Sequence, residues 1–171
     1  MRDVLVVVDM QRDFVNGALG TAEACAIVPA VTERVKSFEG KVIFTRDTHT
    51  ADYLQSREGG LLPVEHCLRG TPGWEIIDEL RPFCTEVIGK PTFGSVVLGE
   101  RLRELDGEER IGCITLIGVC TDICVISNAM LLRAFLPETP IAVEAACCAG
   151  VTPESHDTAL KAMGACQFRI I

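Results

Sequence analysis

Chemically reactive side chains recur in this sequence where short apolar runs end. Asp9 follows "VLVVV", Asp47 follows "VIFTR", Lys90 follows "VIG", and the segment "GVCTDICV" at 118–125 ends a fourth run. A thiolate can attack a carbonyl carbon while a carboxylate passes a proton to the leaving amine and a lysine balances the charge. The set therefore predicts amide chemistry, provided that the fold brings these run ends together.

The position of a helix start ranks the two cysteines of this segment. If the fourth strand ends near Val119, Thr121 is a natural N-cap and Cys124 falls in the first helical turn. A helix N-terminus and a nearby lysine both favour a thiolate, so we expect the pKa of the Cys124 thiol to be lowered. Cys124 is then the nucleophile, and the backbone N–H of Cys120 faces the same space. The alternative is that both are small hydrophobic residues.

A second cluster of polar side chains falls in the long segment 48–71. Asp47 and His49 are two residues apart at its start, and His66 comes seventeen residues later. One Asp and two His with an open position suit Zn²⁺, Fe²⁺ or Mn²⁺. Glu58 is either a further carboxylate ligand or a solvated side chain. The alternative is a pair of surface histidines.

The elements that must position these residues alternate along the chain. Six apolar runs read as strands, at 3–9, 41–47, 85–90, 111–119, 139–146 and 166–171. Helix-like stretches lie between them, which predicts a parallel sheet covered by helices on both faces. Ligands bind at the carboxyl edge of such a sheet, where the reactive residues fall. In the first long helix candidate, Pro29 predicts a helix start close to that residue.

Composition narrows the function classes. The chain has 171 residues, a net charge of −8 and nine cysteines. It has no basic stripe, so nucleic acid is not expected as a partner. The apolar run after Asp3 is too short for a signal peptide or a membrane span, so we expect a cytoplasmic protein with no membrane partner and with reduced cysteines.

Four ordered segments carry a family resemblance: "VVVDMQRDF", "FTRDTH", "GKPTFGS" and "GVCTDICV". With "HCLRGTPGWE" and "TPESHDTAL", they resemble the isochorismatase-like cysteine hydrolases along almost the whole chain, and nicotinamidases most closely. The resemblance implies a single domain over residues 1–171, built as a three-layer α/β/α sandwich around a six-stranded parallel sheet. It also implies self-association into a homo-oligomer.

The resemblance also implies roles for individual residues. The catalytic residues would be Asp9, Lys90 and Cys124. The ligands of one divalent transition metal, zinc or else iron or manganese, would be Asp47, His49 and His66, with Glu58 as a fourth that some members use. The backbone N–H groups of Cys120 and Cys124 would bind an oxyanion, beside a cis peptide between Val119 and Cys120. The substrate-binding residues would be Phe14, Leu62 and Val119.

Three hypotheses for the function remain at this point. The first is hydrolysis of nicotinamide, or a similar small amide, to the acid and ammonia through a cysteine thioester. The second keeps the same residues but acts on another small amide, a ureido compound or isochorismate, because Leu62 stands where nicotinamidases tend to have an aromatic residue. The third is a non-catalytic binding or thiol-redox protein.

Overall fold

The computed structural model describes all residues, 1–171, and its central element is a sheet of six parallel strands. The strands are β1 Arg2–Val8, β2 Lys41–Asp47, β3 Val87–Lys90, β4 Ile111–Val119, β5 Ile141–Ala149 and β6 Arg169–Ile170. Their order is β3-β2-β1-β4-β5-β6, which confirms the predicted six-stranded parallel sheet. The chain order reverses between β1 and β4, and ligands bind at the carboxyl ends of strands flanking such a reversal.

Helices cover both faces of the sheet. They are α1 Arg12–Val15, α2 Ala22–Ser37, α3 Arg57–Leu61, α4 Val96–Glu108, α5 Ile126–Phe135 and α6 Pro153–Ala165. A π-helical turn, Thr121–Val125, leads from β4 into α5. None of the helices has the length and apolar character needed to cross a membrane.

Strand β1 shows how the two cores arise. Val4, Val6 and Val8 pack in one core with residues of α4, α5 and α6, whereas Leu5 and Val7 pack in a second core with residues of α2. Successive side chains of a strand point to opposite faces, so a strand buried on both faces is apolar throughout. The predicted three-layer α/β/α sandwich is confirmed.

The predicted start of α2 near Pro29 is wrong. The helix begins at Ala22, and Pro29 lies inside it. The Thr21 side chain accepts a hydrogen bond from the backbone N–H of Ala24, which caps the helix eight residues before the proline. An interior proline costs about 3 kcal/mol, and burial of the helix face against the second core offsets this cost.

Candidate active site

Asp9 follows β1 with its backbone turned out of the extended conformation. Its φ is +48°, a left-handed value, and its side chain is fully buried. Thr45 of β2 holds both parts of the residue: its Oγ1 accepts from Asp9 N–H at 3.2 Å and donates to Asp9 Oδ1 at 2.6 Å. The neighbouring strand therefore sets the direction of the Asp9 carboxylate.

Lys90, the last residue of β3, joins the reactive groups. Its side chain is 1% exposed, and its Nζ lies 2.6 Å from Asp9 Oδ2, 3.1 Å from Asp47 Oδ1 and 3.4 Å from Cys124 Sγ. Burial lowers the pKa of Lys90, but the negative charges of Asp9 and its neighbours outweigh burial and leave the pKa raised. Lys90 is therefore a buried ammonium ion held by carboxylates.

The carboxylate of Asp9 keeps one free acceptor. Asp9 Oδ2 forms the ion pair with Lys90, and apart from this contact the buried oxygen has no hydrogen-bond partner. Burial raises the pKa of Asp9, and Lys90 offsets this only in part. A buried acceptor without a partner and with a raised pKa can take up a proton.

The prediction of Thr121 as an N-cap is wrong. The N-cap is Cys120, and Thr121 is buried with its Oγ1 2.8 Å from Nδ1 of His156 in the first turns of α6. The thiol of Cys124 is buried in the first core. Asn128, one turn later, donates from Nδ2 to the Cys124 carbonyl at 2.8 Å and fixes that part of the turn.

The expected lowering of the Cys124 pKa is also wrong. Burial raises the pKa of the thiol, the negative charge of Asp9 raises it further, and the positive charge of Lys90 opposes both only in part. A helix N-terminus acts on an exposed thiol, but here exclusion of water and a facing carboxylate favour the neutral form. The thiol keeps its proton until another group accepts it.

Cys120 lies on the other side of the sheet from Cys124. Its side chain packs against the second core, whereas the Cys124 side chain belongs to the first. Burial raises the pKa of Cys120 to about 12. The peptide between Val119 and Cys120 is cis, as the resemblance implied. Because the two thiols contact opposite cores, their arrangement argues against a redox dithiol.

Four side chains beside this group form a carboxylate–histidine cluster: Asp47, His49, Glu58 and His66. One possible ligand atom from each lies within 4.8 Å of the others. Asp47 Oδ2 lies 3.0 Å from His49 Nε2 and 3.8 Å from His66 Nε2, while Glu58 Oε1 lies 3.7 and 3.8 Å from the same two nitrogens. Asp47 belongs to both groups, because its Oδ1 binds Lys90.

The tautomer of His66 suits a metal ligand. Its Nδ1 lies 2.8 Å from the Val64 carbonyl oxygen, which can only accept, so Nδ1 carries the proton and Nε2 presents its lone pair to the cluster. Burial raises the pKa of Asp47, but its bonds to His49 and Lys90 outweigh burial and lower it. Two imidazoles and two carboxylates around one point are a donor set for Zn²⁺, Fe²⁺ or Mn²⁺, so the residues present fit a divalent metal.

The three residues expected to bind substrate lie in different surroundings. The Phe14 ring is 5.5 Å from the His66 ring and half-buried, beside the cluster. Leu62 is 39% exposed and directly follows α3, the helix that contains Glu58. The Val119 side chain is fully buried in the second core.

The sequence did not single out Tyr53 or Asn128. The Tyr53 ring lies 4.6 Å from the His49 ring and 4.9 Å from the His66 ring, and its hydroxyl donates to the Leu62 carbonyl. It lies in the loop before α3, where no periodicity indicates burial. Asn128 had a detectable signal, because it is a polar residue on the apolar face of α5, four positions after Cys124.

Comparisons with known proteins agree with this fold and site. The isochorismatase domain model matches residues 3–171, so the chain belongs to the isochorismatase family. It is 29% identical to the isochorismatase family protein PncA of Bacillus subtilis (strain 168), over 94% of this chain and 93% of that one.

Two solved structures have the same architecture. The pyrazinamidase of Pyrococcus horikoshii, in complex with zinc, is 27% identical and superposes with a TM-score of 0.84 over 100% of this chain and 99% of that one. The nicotinamidase/pyrazinamidase PncA of Bacillus subtilis is also 27% identical, with a TM-score of 0.85 over 99% of each chain.

Proposed function

We propose that this isochorismatase-family hydrolase is a nicotinamidase-like enzyme that converts nicotinamide, or a closely similar small amide, to the acid and ammonia. The observation that carries the proposal is the position of Lys90 Nζ, which contacts Asp9, Asp47 and Cys124 at once. This contact supports the proposal, because a thiol, two carboxylates and a buried ammonium group lie around one point. The similarity to nicotinamidases and pyrazinamidases supports the choice of substrate.

In the proposed mechanism Asp9 moves the protons and Cys124 forms the covalent bond. Asp9 Oδ2 takes the thiol proton, and the sulfur attacks the amide carbon while Lys90 stabilises the negative charge. The N–H groups of Cys120 and Cys124 bind the developing oxyanion. Protonated Asp9 then gives its proton to the amide nitrogen, and the C–N bond breaks. Ammonia is released, and the acyl group remains on Cys124 as a thioester.

The second half of the reaction restores the enzyme. Asp9 accepts a proton from a water molecule as the oxygen attacks the thioester carbon. The C–S bond breaks, the acid is released, and the sulfur recovers a proton from Asp9. The raised pKa values of both groups suit this exchange, because neither group is held permanently in its charged form.

The carboxylate–histidine cluster would hold one divalent metal, for which we propose zinc. A bound metal would supply a Lewis acid beside the substrate. Phe14 would pack beside the substrate ring, and the exposed Leu62 would contact the substrate from the surface.

We further propose that residues 1–171 act as one domain and that the protein is a cytoplasmic homo-oligomer. All nine cysteines are free, which suits a reducing compartment.

The exposed side chain of Leu62 favours a second candidate substrate. An aliphatic residue offers less stacking area than an aromatic one, so a small amide or ureido compound without an aromatic ring is the alternative. Activity on such a compound, with none on nicotinamide, would show that this compound is the substrate, and the same mechanism would apply to it.

The test is ammonia release from nicotinamide by Cys124→Ala and Cys120→Ala variants. We expect Cys124→Ala to fall to the uncatalysed background, because no nucleophile remains. Cys120→Ala should keep most of the activity, because its backbone N–H is unchanged. The opposite pattern would reject the assignment of the nucleophile.

A further inference from the structure

Gln11 has no role in the mechanism, yet its side chain is fully buried against a metal-ligand residue. The backbone ladder between β1 and β2 ends at Val7 and Phe44. Beyond it, Gln11 Oε1 accepts from Asp47 N–H at 2.7 Å and Nε2 donates to the Asp47 carbonyl at 2.9 Å. These are the two bonds that a neighbouring strand would make, so a single side-chain amide holds the end of β2.

Asp13 makes a comparable contact to the other part of the cluster. Its Oδ2 accepts from the backbone N–H of Cys67 at 2.7 Å, directly after His66. Cys67 has a φ of +48°, which an L-residue adopts only with support from its surroundings. Its carbonyl accepts in turn from His49 N–H at 3.0 Å. Cys67 is hydrogen-bonded at both its N–H and its carbonyl, and it connects the segment of His66 to that of His49.

These bonds act where the carboxylate–histidine cluster needs support. Two of its four members are carboxylates that repel each other, and its members come from the end of β2, from α3 and from the chain on either side of α3. Groups that orient metal ligands from outside typically contribute about 10-fold to 100-fold in metal affinity. Gln11 contacts the main chain of Asp47 and Asp13 contacts that of Cys67, the residue after His66, and both come from one segment that also contains Asp9.

We propose that Gln11 and Asp13 are positioning residues that hold the carboxylate–histidine cluster at the spacing a divalent metal requires. The inference rests on the metal-dependent hydrolase proposed above and assigns a role to residues outside its mechanism. One segment, 9–14, then provides the proton acceptor and sets the geometry of the metal site.

The experiment uses Gln11→Met, which keeps the length of the side chain without its amide, and Asp13→Ala, which removes the acceptor of the hydrogen bond from the Cys67 N–H. The Zn²⁺ dissociation constant of the purified full chain is measured by competition with a chromophoric chelator. We expect each variant to bind Zn²⁺ about 10-fold more weakly or worse.

Thr21→Ala is the matched control. It removes the cap of α2, which costs about 1 kcal/mol of stability, without contact to the cluster. Unchanged Zn²⁺ affinity in the two variants, or a loss no larger than in Thr21→Ala, would overturn the proposal. If Gln11→Met does not fold, Asp13→Ala decides. Failure of the wild type to hydrolyse nicotinamide would reject the substrate, and the Zn²⁺ measurement would still test the positioning role.

Discussion

One group of three charged residues lies near the amino ends of strands β2 and β3, and another lies at their carboxyl ends. The two groups differ in burial. The open group, near the amino ends, is Lys41, Glu86 and Arg101; the closed group, at the carboxyl ends, is Asp9, Asp47 and Lys90. In the open group Glu86 pairs with Lys41 at 2.6 Å and Arg101 at 2.9 Å, and the side chains are 22–32% exposed. In the closed group no side chain is more than 3% exposed.

The difference in burial indicates that stability alone does not explain the closed group. Removing charges from water costs several kcal/mol per ion, and two carboxylates around one ammonium leave a negative charge without a partner in the group. An apolar cluster of the same volume would stabilise the fold as well or better. This burial supports the proposed catalytic role of the closed group, because its excess negative charge can accept a proton at Asp9 or contribute to a metal site at Asp47.

The largest expected effect comes from Lys90→Met, which breaks the closed group. It leaves Asp9 and Asp47 buried without a cation, and removal of one partner of a buried pair typically costs about 3–5 kcal/mol. We expect the free energy of unfolding in urea to fall by that amount, and hydrolysis to be lost. Adding Asp9→Asn to this variant should restore part of the stability but none of the activity. A loss below about 1 kcal/mol, the scale of an exposed pair, would show that the closed group behaves like the open one.

A smaller effect, on Zn²⁺ affinity, should distinguish the two carboxylates of the carboxylate–histidine cluster. Asp47 is buried and bonded to His49 and Lys90, whereas Glu58 is 23% exposed at the side chain and contacts the histidines only at 3.7 and 3.8 Å. We expect Asp47→Asn to weaken Zn²⁺ binding about 10-fold more than Glu58→Gln, a difference of about 1.4 kcal/mol. Chelator competition measures both constants. Equal losses would mean that burial does not distinguish the two ligands.

The sequence predicted the residues of the closed group because strand ends are simple to locate. Asp9, Asp47 and Lys90 each follow an apolar run, and parallel strands end at a common edge. His49 and His66 were candidates because of residue type, spacing and the family resemblance. The contacts of Gln11 and Asp13 could not be predicted, because they join segments through a loop whose course depends on tertiary bonds rather than on periodicity.

The errors have a common physical origin. Pro29 and Thr121 were interpreted from local helix preferences, and each was overridden by packing: burial of α2 in one case and the bond to His156 in the other. The pKa of Cys124 was misjudged in the same way, because a local helix effect was counted while burial and the facing Asp9 were not. Local signals located the elements, and tertiary burial determined the chemistry.

The smallest effect should come from Glu86→Gln in the open group, and it has a defined pH dependence. Partial burial raises the pKa of Glu86, but the bonds to Lys41 and Arg101 outweigh it and lower the pKa below the ordinary value of 4.5. A lowered carboxyl pKa stabilises the folded state above the unfolded-state value, and this contribution is lost as the pH falls through the folded-state pKa. Urea unfolding at pH 7 should therefore show wild type more stable than Glu86→Gln by at most about 1 kcal/mol, and the difference should shrink as the pH drops below 4.5. A difference that grew on acidification would contradict the sign, and one of several kcal/mol at pH 7 would show that partial exposure does not weaken an ion pair in this protein.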